Sequence, residues 1–185
     1  MTADTSQEWQ DQLRHRVKDV QRLRNALDLP PGEADEILQS TLKFRFAITP
    51  TWMELIKESP AAYKQVVPTA DELLPAATDL DDPLGEEKDS VLPNLVHRYP
   101  DRVLLLATDH CAAYCRYCTR KRVVGSGNVP FSRTKLQAAF DYIAAHPEIR
   151  DVLVSGGDPL ILNDEQVRWI LQSLRAIPHL EFLRM

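Results

Sequence analysis

Cys111, Cys115 and Cys118 lie within eight residues of one another and are the only cysteines in a chain of 185 residues. An odd count of clustered thiols is a poor disulfide framework and a good set of metal ligands. Three thiolates are one short of a closed four-cysteine zinc or iron–sulfur site. They suffice for a 4Fe–4S cluster that leaves one iron open, the arrangement needed if a small molecule is to chelate the metal. Two other readings stay open on spacing alone. Steps of four and three also place the cysteines on one helical face as small packing residues. A zinc site could be completed by His97 or by His110, although neighbours such as His110 and Cys111 rarely converge on one metal.

Charge is unevenly spread around these thiols. Residues 95–122 contain Arg98, Arg102, Arg116, Arg120, Lys121 and Arg122 against Asp101 and Asp109, a net of +4, while the rest of the chain sums to −9. Such a field favours an anionic cluster, a carboxylate or a phosphate. At 44% hydrophobic and 26% charged residues the composition is that of an ordinary globular protein. The net charge of −5 argues against a general nucleic-acid binder. No run approaches a membrane span, and the first ten residues, with Asp4 and Glu8, lack a signal-peptide pattern. A cytoplasmic protein with no membrane or nucleic-acid partner is expected.

The elements that must position the thiols follow from periodicity. Trp9, Leu13, Val17, Val20, Leu23 and Leu27 predict one helix over residues 6–27, ended by Pro30-Pro31-Gly32. A shorter helix is expected over 33–42, and Thr49-Pro50 can begin a third. Residues 60–93 are rich in proline and acid and read as a solvated loop. Residues 103–107 form a continuous apolar run suited to a strand buried on both faces. A helix over 132–145, a strand at 152–154, a helix opening at Asn163-Asp164-Glu165 and a strand at 180–183 complete the pattern. Alternating strands and helices predict a parallel α/β architecture. The cysteines follow the first strand, and Ser155-Gly156-Gly157-Asp158-Pro159 follows the second, so both belong on one rim of the sheet.

The cysteine spacing, with Tyr117 directly before the last thiol, resembles the radical S-adenosylmethionine (SAM) enzymes. That resemblance implies a 4Fe–4S cluster on Cys111, Cys115 and Cys118, with SAM chelating the fourth iron through its amino and carboxylate groups. Reduction would then release a 5′-deoxyadenosyl radical. Ser155 to Leu160 resembles the glycine turn of that superfamily, which implies that Ser155, Gly156, Gly157 and Asp158 bind SAM.

A finer resemblance, to the lysine 2,3-aminomutase family, runs through residues 48–50, 82–87, 97–102, 108–125 and 155–160. It covers essentially the whole chain, whereas members of that family are more than twice as long. It therefore implies an N-terminal fragment. Residues 1–95 would be a helical and extended region, and 96–185 the first part of a radical SAM partial β/α barrel, truncated after about three strands and inactive or unstable alone.

The implied reaction is a pyridoxal phosphate (PLP)-dependent amino-acid 2,3-aminomutation, L-lysine to β-lysine, with the electron coming from a flavodoxin or ferredoxin. Arg98, Tyr99 and Arg102 would hold PLP, and Arg120 the substrate carboxylate. No catalytic residue can be assigned, because the PLP lysine matches none of the lysines present. Zinc would belong to the absent C-terminal part, and the full-length form would be a homo-oligomer. Tyr117 stands where many lysine enzymes have histidine and is shared with the branch acting on a lysine of elongation factor P. Glutamate, a protein lysine and a non-catalytic metal-binding remnant are the alternatives.

Overall fold

Proline and short polar side chains set the starts of the helices. The computed structural model describes residues 5–74 and 79–185. The expectations for residues 1–4 and for 75–78 of the proline-rich stretch lie outside the described residues. The first helices are α1 (Thr5–Arg14), α2 (Val20–Leu27), α3 (Pro31–Lys43), α4 (Pro50–Glu58) and α5 (Pro60–Val66). Pro31, Pro50 and Pro60 each occupy a first turn, where a missing N–H costs nothing. Thr49 and Ser59 cap the N-termini of α4 and α5.

The single helix expected over 6–27 is two helices. Val17 leaves the helical path to pair with Ile48 through two backbone hydrogen bonds of 2.8 and 3.0 Å. Asp19 then accepts the Arg22 N–H at 2.8 Å and caps α2. The apolar stripe continued through the break because Val17 is still buried, only by a strand-like bridge.

The remaining elements are β1 (Ser90–Leu92), β2 (Leu95–Tyr99), β3 (Arg102–Thr108), α6 (Arg133–Ala144), β4 (Asp151–Gly156), α7 (Asp164–Arg175) and β5 (Phe182–Arg184). They form one sheet of order β1-β2-β3-β4-β5. The pairs β3–β4 and β4–β5 are parallel, as expected, while β1–β2 and β2–β3 are antiparallel. The fold is thus mixed α/β with five strands rather than three. The two extra strands come partly from the stretch read as a loop, where Pro93-Asn94 and Pro100-Asp101 make the reversals.

The chain divides into two compact units. A helical unit holds the described residues up to Leu80 together with Ala112–Lys121. Its core is Leu23, Ile37, Phe46, Ile48, Met53, Ile56 and Val66, with Ala113 packed against it. A sheet unit holds Asp81–Cys111 and Arg122–Met185. There Val103, Leu105, Ala107, Val152 and Val154 pack against Leu136, Phe140 and Ile143 of α6 and Ile170 and Leu174 of α7. Both helices therefore cover one face of the sheet, and residues 104, 106, 153 and 155 alternate onto the other. Among the described residues no helix is long and apolar enough to cross a membrane.

Candidate functional site

In the sheet unit the glycine turn closes directly on the strand that leads to Cys111. Thr108 pairs with Gly156 at the carboxyl ends of the parallel strands β3 and β4. The Gly157 N–H donates to the Thr108 carbonyl at 2.6 Å, and the Asp158 N–H to the His110 carbonyl at 2.7 Å. A Cβ at Gly156 would stand inside 3.0 Å of the Thr108 carbonyl oxygen, and one at Gly157 inside 3.0 Å of that of His110. Gly156 also has φ +115°, open to glycine and strained for other residues. Sequence reasoning gave these glycines to an approaching ligand; what they approach here is the backbone running into Cys111. The Asp158 side chain accepts the Leu160 N–H at 3.0 Å, and Ser155 is half-buried on the face of β4 away from the helices.

Asp109 is a site residue that sequence reasoning passed over. It is fully buried, and its carbonyl accepts the Gly125 N–H at 2.7 Å. Its Oδ2 accepts the Val129 N–H at 3.2 Å, and its Oδ1 lies 3.1 Å from the Nδ1 of His110. Asp109 thus holds residues 125–129 at two points beside Cys111, Gly125 through its backbone carbonyl and Val129 through its carboxylate. His97, the other candidate zinc ligand, is engaged elsewhere, its Nδ1 at 2.9 Å from the Tyr142 hydroxyl and its ring edge-on to Tyr142 and His146.

In the helical unit, residues 112–121 are pinned by backbone and charge. Tyr114 N–H donates to Ala47 at 3.2 Å, and Arg116 N–H to Gln65 at 2.7 Å. The Arg116 side chain is buried and grips Glu72 with two bonds, Nε to Oε1 at 2.9 Å and Nη2 to Oε2 at 2.7 Å. Its Nη1 donates to the Arg45 carbonyl at 2.8 Å. Between the last two thiols the chain makes a tight turn, with Cys118 N–H donating to the Cys115 carbonyl at 3.2 Å. Arg120 is half-buried, and its N–H donates to Cys118 Sγ at 3.4 Å. Tyr117 points outward, 68% exposed. The charge and hydrogen bonding of Cys115, then partial burial and the charge of Cys118, push its phenol above the ordinary value.

None of the three cysteines is in a disulfide, and all are half-buried and in irregular backbone rather than helix. That removes their reading as packing residues along one helical face. Among the described residues no three His, Cys, Asp or Glu side chains are gathered as a ready metal site. The donor set nevertheless suits iron–sulfur chemistry: three accessible thiols with no competing disulfide.

The arginines near β2 and β3 are committed to acids of the same unit. Arg98 donates to Asp89 at 2.6 Å, to the Gly85 carbonyl at 2.9 Å and to the Leu84 carbonyl. Arg102 donates to Asp101 at 3.1 Å and lies 5.4 Å over the Tyr99 ring, with Tyr99 itself exposed. Arg122 bridges Asp82 and Glu87 at 3.1 and 3.0 Å. The acidic stretch read as a solvated loop is therefore the counter-charge of the basic segment, and Glu86 within it is buried. Arg102 opens β3 and Thr108 closes it, so Arg98, Tyr99 and Arg102 stand at the end of the strand opposite the glycine turn, roughly 20 Å along it.

A segment that opens beside Arg102 and spans the thiols and the glycine turn defines a class, and comparison with known proteins gives it. Residues 101–180 match the family described as "4Fe-4S single cluster domain". The chain is 44% identical over 181 residues to L-lysine 2,3-aminomutase of Clostridium subterminale, covering 96% of this chain and 44% of that protein. It is 40% identical over 190 residues to L-lysine 2,3-aminomutase of Methanococcus maripaludis, covering 100% and 44%. It is 38% identical over 187 residues to glutamate 2,3-aminomutase of Clostridioides difficile, covering 98% and 44%. This chain belongs to the lysine 2,3-aminomutase family of radical SAM proteins. It spans about 44% of the length of these relatives.

Proposed function

We propose that this chain carries the cluster-binding part of a radical SAM amino-acid 2,3-aminomutase that acts on L-lysine. The observation that carries the reading is the C-x3-C-x2-C segment, free of disulfides and following β3, in a chain 44% identical to an L-lysine enzyme. Cys111, Cys115 and Cys118 would hold three irons of a 4Fe–4S cluster and leave the fourth for SAM. When bound, the cluster would supply the single electron that cleaves SAM, itself received from a flavodoxin or ferredoxin.

This chain's own residues would do the holding. The backbone at Ser155, Gly156, Gly157 and Asp158 closes the rim on which Cys111 lies and would receive the SAM amino group. Arg98, Tyr99 and Arg102, at the other end of β3, would hold the PLP phosphate, and Arg120 the substrate carboxylate. The lysine that carries PLP is not assigned within this chain. Residues 96–185 would be the opening part of a partial β/α barrel, with the sheet face not covered by α6 and α7 turned to the ligands, and 1–95 the helical and extended region before it. A cytoplasmic homo-oligomer fits the reading. The glutamate enzyme at 38% identity supports a second substrate, and the higher identity to lysine enzymes favours the first.

The test is reductive SAM cleavage. The chain, reconstituted anaerobically with iron and sulfide and reduced with dithionite, is expected to convert SAM to methionine and 5′-deoxyadenosine, with L-lysine altering the rate and L-glutamate leaving it unchanged. Cys115→Ala should abolish cleavage. Cleavage that survives in Cys115→Ala contradicts the assignment.

A further inference from the structure

Glu72 lies outside every motif that pointed to the site, 39 residues before Cys111. It is nevertheless the carboxylate on which the Cys115–Cys118 stretch hangs. Both its oxygens bond Arg116, the residue after Cys115, and Oε2 also accepts Lys121 Nζ at 3.2 Å, three residues after Cys118. The Thr69 N–H donates to Oε1 at 3.2 Å, so the carboxylate is itself oriented by the one-turn helix it caps. Side-chain exposure is 8% for Arg116 and 12% for Glu72. An exposed ion pair contributes little; a buried, forked pair whose third donor is also satisfied fixes geometry.

We propose that Glu72 is a positioning residue for the iron–sulfur cluster. Through Arg116 and Lys121 it sets the backbone that presents Cys115 and Cys118. The inference rests on the reading of those thiols as cluster ligands and adds a residue to it. The Arg116 guanidinium is also held by the Arg45 carbonyl, so loss of the Glu72 charge leaves a buried cation without its carboxylate and loosens the turn.

The experiment compares wild type, Glu72→Gln and Glu33→Gln, each reconstituted anaerobically with iron and sulfide. Glu33 lies in the same helical unit and accepts the Tyr63 hydroxyl at 2.8 Å, so its variant also removes one carboxylate contact from that unit, well away from the thiols in sequence. Iron release to an excess of chelator is followed in time. Outer partners of metal ligands typically change affinity about 10–100-fold, and Glu72→Gln is expected to release iron at least ~10-fold faster than wild type. Glu33→Gln should match wild type. Equal release by Glu72→Gln and wild type overturns the proposal, as does equally fast release by Glu33→Gln. If Glu72→Gln does not fold, Glu72→Asp, which keeps the charge on a shorter arm, carries the same comparison. A wild-type chain that takes up no cluster overturns the reading of the thiols and this inference with it.

Discussion

Gly156 and Gly157 show how a residue chosen for lacking a side chain can set the start of the cysteine segment in place. Each would drive a Cβ into the carbonyl of Thr108 or His110, and those two residues bracket Asp109 directly before Cys111. Their absence of bulk fixes where the cysteine segment leaves the sheet. Gly156→Ala adds strain at φ +115° to a steric clash with backbone that cannot swing aside. It is expected to destabilise the fold by roughly 2–4 kcal/mol in urea unfolding; an unchanged midpoint would remove this account of the turn. Asp109 acts at the same scale by a different means, its backbone carbonyl accepting from Gly125 and its buried carboxylate from Val129.

At the scale of elements, the helical unit holds residues 112–121 partly by charge, and that part depends on pH. Burial alone would raise the Glu72 carboxyl, but the hydrogen bonds and charge of Arg116, the Thr69 N–H and Lys121 together hold it below the usual 4.5. A carboxylate lowered on folding contributes stability that is fully present above its unfolded value and is lost as pH falls through the folded one. Unfolding of the apo chain should accordingly be insensitive to Glu72 titration at neutral pH and weaken as pH drops below about 4.5. Glu72→Gln should flatten that part of the profile, and an unaltered profile in the variant would contradict the pairing.

The elements that sequence reasoning found are those whose signals are local. Thr49-Pro50, Asn163 and the apolar periodicity of residues 133–144 and 164–175 each carried their own boundary. The break at Val17 was hidden because a bridge to Ile48, distant in sequence, buries the same side chain a helix would have buried. Strands β1 and β2 were hidden by the acids around them, whose partners Arg98 and Arg122 lie downstream. The thiols stood out in sequence by their clustering and odd count, and the glycines as a pair closing a strand, a sign of close backbone approach. Glu72, Arg116 and Asp109 were not, since a buried ion pair and a buried hydrogen-bond acceptor leave no mark in one segment alone. Only the Thr69-x-x-Glu72 capping pattern was there to be read.

At the scale of the whole molecule, an acidic chain of net −5 concentrates its cations around the thiols and then neutralises them locally. Arg98, Arg102, Arg116, Lys121 and Arg122 each hold a carboxylate, so the basic segment acts as a set of fasteners more than as an open positive field. By chain position Cys111 belongs to the sheet unit, and Cys115 and Cys118 to the helical unit. The central claim is that these three thiols hold a 4Fe–4S cluster with one iron open to SAM. Electron paramagnetic resonance of the anaerobically reconstituted, reduced chain, recorded before and after adding SAM, tests it most directly. The account predicts one 4Fe–4S signal per chain whose shape changes on adding SAM; stoichiometric zinc without that signal, or a cluster signal indifferent to SAM, would contradict it.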